Sequence, residues 1–123
     1  MLVEYDEAAD RFTYTGSLQN APNFRALLCE ATRLPAEKLR VVALDVGGGF
    51  GGKNQVQPDH VALLFAALLL KRPIKWIADR SEGFLSDAHA RDLITTVRLA
   101  LDKDARFLAL EVETMANLGA YLS

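Results

Sequence analysis

Residues 47–53 read Gly-Gly-Gly-Phe-Gly-Gly-Lys and follow directly on Leu39–Val46, a stretch rich in Val and Leu. A strand that feeds five glycines in six positions is the strongest constraint in this chain. Glycine permits positive φ and lets a ligand approach the backbone closely. Several N–H groups can then converge on one anionic or oxo-rich group. A flexible surface turn is the plainer alternative. Ordering six such residues around Phe50 costs entropy, however, and a bound ligand would offset that cost.

The rest of the chain arranges itself around this loop. Upstream, Arg11 to Leu18 carries Phe12, Tyr14, Thr13 and Thr15 and predicts a short strand leading into a turn. Asn20 offers a helix N-cap, with Pro22 in the first turn where a missing N–H costs nothing. Phe24, Leu27, Leu28, Ala31 and Leu34 follow at helical spacing until Pro35 stops the run. Downstream, Pro58 and Asp59 open a second helix to about Lys71. Its apolar residues cover nearly every face, which predicts cover on more than one side. A short strand is expected over Ile74 to Ala78, then a helix or irregular segment over Asp79 to Asp92. Leu93 to Leu101 and Phe107 to Met115 read as a hairpin about a turn at 102–105, with Leu108, Leu110 and Val112 on one face and Glu111 and Glu113 on the other. The order strand-helix-strand-helix-strand-(helix)-strand-strand indicates an α+β (mixed α/β) fold, a mixed sheet packed by two main helices. Residues 1–123 are read as a single domain.

Composition removes several function classes. A net charge of −2, with 14 Lys and Arg scattered along the chain, argues against a nucleic-acid binder. The single cysteine, Cys29, cannot form an intrachain disulfide and lies in a predicted helix, as a small core or flank residue. No Cys/His cluster has metal-ligand spacing, so no protein metal ligand is assigned. Met1 to Asp10 is acidic and lacks an apolar signal region. The longest apolar run, Val61 to Leu70, is half the ~20 residues that span a bilayer. A cytoplasmic protein without membrane contact is expected.

The glycine loop satisfies two nucleotide-binding patterns imperfectly. Gly47, Gly49 and Gly52 fit the Rossmann-like G-x-G-x-x-G, with Asp79 as a ribose ligand. That fingerprint wants its helix to begin within the glycines, and Pro58 delays it by about six residues. Gly47 to Lys53 also fits G-x-x-x-x-G-K, but Asn54 stands where a phosphate loop needs Ser or Thr for Mg²⁺. A dinucleotide-binding module remains the alternative reading, and a purely structural domain a third.

Asp45-Val46-Gly47-Gly48-Gly49-Phe50-Gly51-Gly52-Lys53 resembles the G-G-G-F-G-G-K motif of the molybdenum hydroxylase large subunits, the xanthine dehydrogenase, aldehyde oxidase and carbon monoxide dehydrogenase family. Ser17-Leu18-Gln19-Asn20-Ala21-Pro22 resembles the family's S-T-Q-x-P turn. Leu34-Pro35 with Leu39-Arg40-Val41 resembles its L-G-L-P…V-R-V passage, and Arg72-Pro73-Ile74-Lys75-Trp76 with Asp79-Arg80 and Glu82 its R-P-V-K-W-x-x-D-R-x-E. His89-Ala90-Arg91-Asp92 and Ala116-Asn117-Leu118-Gly119-Ala120-Tyr121 are similar to two further blocks. These run in family order from Ser17 to the end of the sequence.

The resemblance implies that the chain is an internal piece of the molybdopterin-binding region of a larger subunit. The parent would be an oxidoreductase that hydroxylates aldehydes or N-heteroaromatics, or oxidises carbon monoxide, with water as oxygen source. The cofactor would be a molybdenum-pterin, in bacterial relatives commonly the molybdopterin cytosine dinucleotide, and the metal would be held by the pterin. Iron–sulfur clusters (FeS) and FAD would lie in partner subunits or domains. Gln19 stands where the family places a glutamine beside the metal centre. Gly49, Phe50, Gly51 and Gly52 stand where its loop packs on the cofactor, with Phe50 also able to plug the core. Lys53 would be a solvated or ion-paired charge. Asn54 stands in the substrate pocket where xanthine dehydrogenases carry Glu, which makes xanthine itself an unexpected substrate. Asp79, Arg80, Glu82, Arg91 and Asp92 read as ion pairs or caps. No catalytic residue is assigned within the chain, because the family's catalytic glutamate lies further downstream; the isolated piece would be inactive.

Overall fold

A computed structural model describes residues 1–87 and 92–118. The chain divides into two compact units, residues 1–87 and 88–123.

The first unit is built on a mixed four-stranded sheet. β1 (Leu2–Asp6) and β2 (Arg11–Gly16) pair antiparallel, setting Val3 opposite Tyr14 and Tyr5 opposite Phe12. The Asp6 carboxylate accepts from the N–H groups of Ala8 and Ala9, and Asp10 turns the chain at φ 47°. This first strand was not expected from the sequence, where residues 1–10 read only as an acidic lead. From β2 the chain passes through α1 (Ala21–Thr32) to β3 (Leu39–Ala43), which lies parallel to β2. β4 (Ile74–Lys75) adds antiparallel to the far side of β1, giving the order β3-β2-β1-β4. The α+β class expected from the sequence is thus the one found.

Alternation along the strands sends Val3, Phe12, Tyr14 and Leu39 to one face. There they meet Phe24 and Leu28 of α1 and Leu63, Leu64 and Ala67 of α2 (Pro58–Leu70), all buried. Burial of each large side chain contributes roughly 1.5–3 kcal/mol, so this single layer of contacts carries the unit. The start of α1 is the expected one: the Asn20 side chain accepts from Asn23 N at 3.1 Å, with proline in the first turn. The helix ends two residues before Leu34, with Arg33 left-handed at φ 58°, because a residue preceding proline is disfavoured in the helical region.

Three expectations need correction. β3 stops at Ala43 rather than Val46, because its partner β2 ends at Gly16, opposite Ala43. β4 has two residues rather than five, paired only to Leu2 and Val3. Helix α2 is covered on one side; Phe65, Leu69 and Leu70 remain exposed. The segment after β4 forms α3 (Arg80–Ser86), opened by a reciprocal cap in which Asp79 accepts from Glu82 N and Glu82 accepts from Asp79 N, each at 2.8 Å. The caps expected of Asp79 and Glu82 are therefore real.

In the second unit β5 (Asp92–Leu101) and β6 (Phe107–Asn117) form an antiparallel hairpin. Asp102 builds its turn, accepting from the N–H groups of Asp104 and Arg106. Leu93, Val97 and Leu99 line one face with Leu110 and Val112, and Arg98 pairs with Glu111 on the other. A two-stranded ribbon has no second layer of its own, and every one of these side chains is exposed. The family-like blocks at 89–92 and 116–121 fall partly outside the described residues.

Candidate functional site

The site is assembled from two segments that the β2-α1-β3 unit brings side by side. The first is the turn Ser17–Asn20 between β2 and α1. Leu18 is buried and fixes this turn, leaving Ser17, Gln19 and Asn20 exposed. The second is the glycine loop that leaves β3. Gly47, Gly48 and Gly51 have φ of 64°, 101° and 81°, the left-handed region that side chains disfavour. Phe50 shares that region at φ 55° despite its bulk. Its ring lies over Gly48, where an added Cβ would fall 2.6 Å from the ring. Phe50 is 86% exposed, so it is no core plug; it stands out at the loop tip.

The two segments are laced together. Gln19 N donates to Lys53 O at 3.1 Å, and Lys53 N donates to Gln19 Oε1 at 3.2 Å, across 34 residues of sequence. Lys53 Nζ donates to Ser17 Oγ and to Val46 O, both at 2.8 Å, and Ser17 Oγ donates to Val46 O at the same distance. The Gln19 side chain lies across Gly49 so closely that a Cβ there would be 2.1 Å from Gln19 Cγ and 2.6 Å from Nε2. Any side chain there would have to displace Gln19.

These contacts fix the chemistry on offer. An N–H can bond only to the oxygen of the Gln19 amide, so Oε1 is committed and Nε2 remains to donate. Nε2 has no partner among the described residues. Further along the same loop, no atom lies within 4 Å of a Cβ built on Gly51 or Gly52. The result is a neutral donor beside backbone that a large group can approach. Of the residues expected to hold a cofactor, Gln19 and Gly49 are in contact, while Phe50, Gly51 and Gly52 follow in the same loop. Asn54 is exposed just after Lys53, and no hydrogen bond joins it to the cluster among the described residues. Lys53 is not the solvated or ion-paired charge expected of it: its partners are two neutral oxygens. Ser17 and Lys53 fall within the family-like motifs, but nothing in the sequence pointed to their bond.

The profile of the molybdopterin cofactor-binding domain matches residues 1–123. The chain belongs to that family. It is 36% identical over 98% of its length to the gamma subunit of the 6-hydroxypseudooxynicotine dehydrogenase complex of Paenarthrobacter nicotinovorans, and covers 15% of that subunit. It is 34% identical over 98% of its length to the carbon monoxide dehydrogenase large chain of Afipia carboxidovorans, again covering 15% of the relative. Quinoline 2-oxidoreductase from Pseudomonas putida 86 superimposes with a TM-score of 0.80 at 31% identity, over 94% of this chain and 15% of that one. The chain thus spans about 15% of the length of the relatives it matches.

Nothing in this molybdopterin-binding domain supports the Rossmann-like alternative. Helix α2 begins at Pro58, with Gln57 as its N-cap, so the glycines sit at no helix N-terminus. The same delay removes the phosphate-loop reading.

Beside the Lys53 end of the loop lies a cavity of about 410 Å³ that includes Tyr14, Ser17, Lys53, Gln57, His60 and Trp76 in its lining. His60 Nδ1 accepts from Gln57 N at 2.8 Å, and its ring meets Tyr14 and Phe24 edge-on. Burial holds the His60 imidazole below its ordinary pKa, against the opposing pull of Asp59, and burial raises the Tyr14 phenol. Cys29 packs against the domain's core, and burial pushes its thiol up. Among the described residues no group of three or more His, Cys, Asp or Glu could hold a metal. Among them, too, no helix is long and apolar enough to cross a membrane.

Proposed function

We propose that this domain supplies one wall of a molybdenum-pterin site in the large subunit of a molybdenum hydroxylase. The observation that carries the reading is the packing of Gln19 on Gly49, which leaves the amide Nε2 as a neutral donor beside an open glycine backbone. An oxo-rich group without a protein ligand is suited by such a surface: donors that add no charge, and no side chain in the way. The cofactor, when bound, supplies the redox chemistry that hydroxylates a substrate carbon with oxygen from water. In this reading the chain's own residues bind and orient. Gln19 donates from Nε2, while Gly49, Phe50, Gly51 and Gly52 offer backbone to the pterin. Asn54 lines the substrate pocket with a neutral amide.

The parent protein would be an oxidoreductase acting on an aldehyde, an N-heteroaromatic or carbon monoxide, with xanthine disfavoured by Asn54. Residues 1–123 are one segment of its larger cofactor-binding region, inactive alone. The remaining large subunit, iron–sulfur and FAD partners, a cytosine dinucleotide on the pterin and a cytoplasmic setting complete the reading. It is supported by the family and by relatives named as a large chain and as a complex subunit.

The test is metal analysis of the purified full-length parent from a host that makes the cofactor, beside Gln19→Ala and Gly51→Val. Near-stoichiometric molybdenum in the wild type, with loss of metal or activity in Gly51→Val, is the expected outcome. A wild type that carries no molybdenum would sink the reading.

A further inference from the structure

Lys53 ties the glycine loop at both ends, and this role rests on the cofactor reading above. Val46 directly precedes the glycines and Lys53 directly follows them. The ammonium reaches back across the loop to the Val46 carbonyl at 2.8 Å, so one side chain closes the segment on itself. A second donation, to Ser17 Oγ at 2.8 Å, fastens that closure to the turn that carries Gln19. Ser17 completes the triangle by donating to the same Val46 oxygen. A segment with five glycines in six positions has much backbone freedom to lose on ordering. Charge-assisted bonds from one lysine are the strongest contacts available at its base.

The backbone of the same residue acts on Gln19. Its N–H bonds Gln19 Oε1 and its carbonyl receives Gln19 N. The first bond selects which end of the amide faces outward. With Oε1 committed, the outward atom is a donor. With the amide reversed, the same position would present an oxygen lone pair to the cofactor.

We propose that Lys53 is a positioning residue: its ammonium clasps the two ends of the glycine loop, and its main chain sets Gln19 as a donor toward the cofactor. Lys53 does not itself touch the cofactor. Its replacement acts on loop order and on the orientation of Gln19.

The experiment uses the full-length parent purified from a cofactor-producing host, as wild type, Lys53→Met, Lys53→Arg and Ser17→Ala. Amide hydrogen exchange is followed at residues 46–53 and, as a reference, at Tyr14 and Leu28 in the core. Molybdenum and pterin contents are measured on the same samples, with the electron paramagnetic resonance signal of the reduced metal. In Lys53→Met, exchange at 46–53 should accelerate roughly tenfold or more, since losing two charge-assisted bonds exceeds the free energy of one decade. The core amides should not change, molybdenum should fall, and the resonance of what remains should shift. Ser17→Ala should show the same pattern more weakly. Lys53→Arg, which keeps the charge on a longer planar group, should restore part of the loop protection.

Unchanged exchange at 46–53 in Lys53→Met, with full molybdenum and an unshifted resonance, overturns the proposal. Equal acceleration at the loop and the core in both Lys53→Met and Ser17→Ala also overturns it, by showing a fold-wide role. A wild type without molybdenum defeats the cofactor reading instead, and the exchange comparison then still decides whether the clasp exists.

Discussion

At the base of the glycine loop a carbon added to Gly49 would lie 2.1 Å from Gln19 Cγ, whereas at the tip nothing lies within 4 Å of one added to Gly51 or Gly52. The base is laced to the Ser17–Asn20 turn by hydrogen bonds from Lys53, Gln19 and Ser17. The tip carries Phe50, 86% exposed in a left-handed conformation. Glycine is therefore required for different reasons at the two ends. At Gly49 the requirement is packing within this chain. At Gly51 it is backbone conformation, φ 81°. At Gly52 neither applies, so any requirement there comes from a group that approaches from outside.

The largest effect should come from Gly49→Ala, which drives a methyl group into the Gln19 side chain. Overpacking in a core costs about 1–3 kcal/mol; here the displaced side chain is exposed, so the effect falls on the position of Gln19 more than on stability. Because the only relief is to move Gln19, molybdenum content of the full-length protein should fall at least roughly tenfold. Retention of metal at the wild-type level would show that base and tip do not differ as described. Gly51→Ala should come next. It meets no atom but must hold φ 81°, at about 1–2 kcal/mol, visible as a lowered thermal midpoint.

A smaller effect acts at the cap of α2, in the cavity that Lys53 and His60 both line. His60 closes that cap with a neutral Nδ1 and is held below its ordinary value by burial. A depressed folded pKa means that the unfolded chain binds the proton first. Stability is therefore fully present above 6.5, the ordinary value, and lost as pH falls through the lower folded value. Losing such a cap costs about 1 kcal/mol. His60→Gln, which can still close the cap, should flatten the acid limb of a denaturation series. An unchanged limb would mean that other groups set it.

Gly52→Ala should be the mildest. With open space around it and no positive φ recorded, stability should stay within about 0.5 kcal/mol of wild type. Molybdenum lost at unchanged stability would then locate a direct contact with the cofactor. A clear loss of stability would instead place Gly52 with the base.

The contrast between base and tip also marks what could be read in advance. The helix starts at Asn20 and Pro58, the glycine loop and the Asp102 turn all announce themselves through residue chemistry local in sequence. A cofactor-facing role for Gln19, Gly49, Phe50, Gly51 and Gly52 came as an expectation from the ordered motif resemblance, not from local chemistry. What stayed hidden depends on partners distant in the chain. β1 is five residues without strong alternation, and it exists because Val3 finds Tyr14 on one side and Ile74 on the other. The early ends of β3 and β4 are set by where β2 and β1 run out. The lacing of Lys53 to Gln19 joins residues 34 apart, and no periodicity encodes it. The all-round apolarity of α2 did not reveal which side the sheet would cover, and Phe65, Leu69 and Leu70 are left exposed.

The pairing of Leu2 with Lys75 sets an order of events during synthesis. The sheet of the first unit lacks its last strand until Lys75 has left the ribosome, and the glycine loop lies inside the span that this pairing closes. The β5–β6 hairpin joins only neighbouring stretches, and such hairpins close in about 1–10 μs. At roughly 5–20 residues per second the chain between β4 and β5 takes about a second or more to appear. The glycine loop can therefore be in place before β5 has emerged. Its lacing to the Ser17–Asn20 turn joins segments that both lie upstream of that point, so the loop can take its shape without the hairpin.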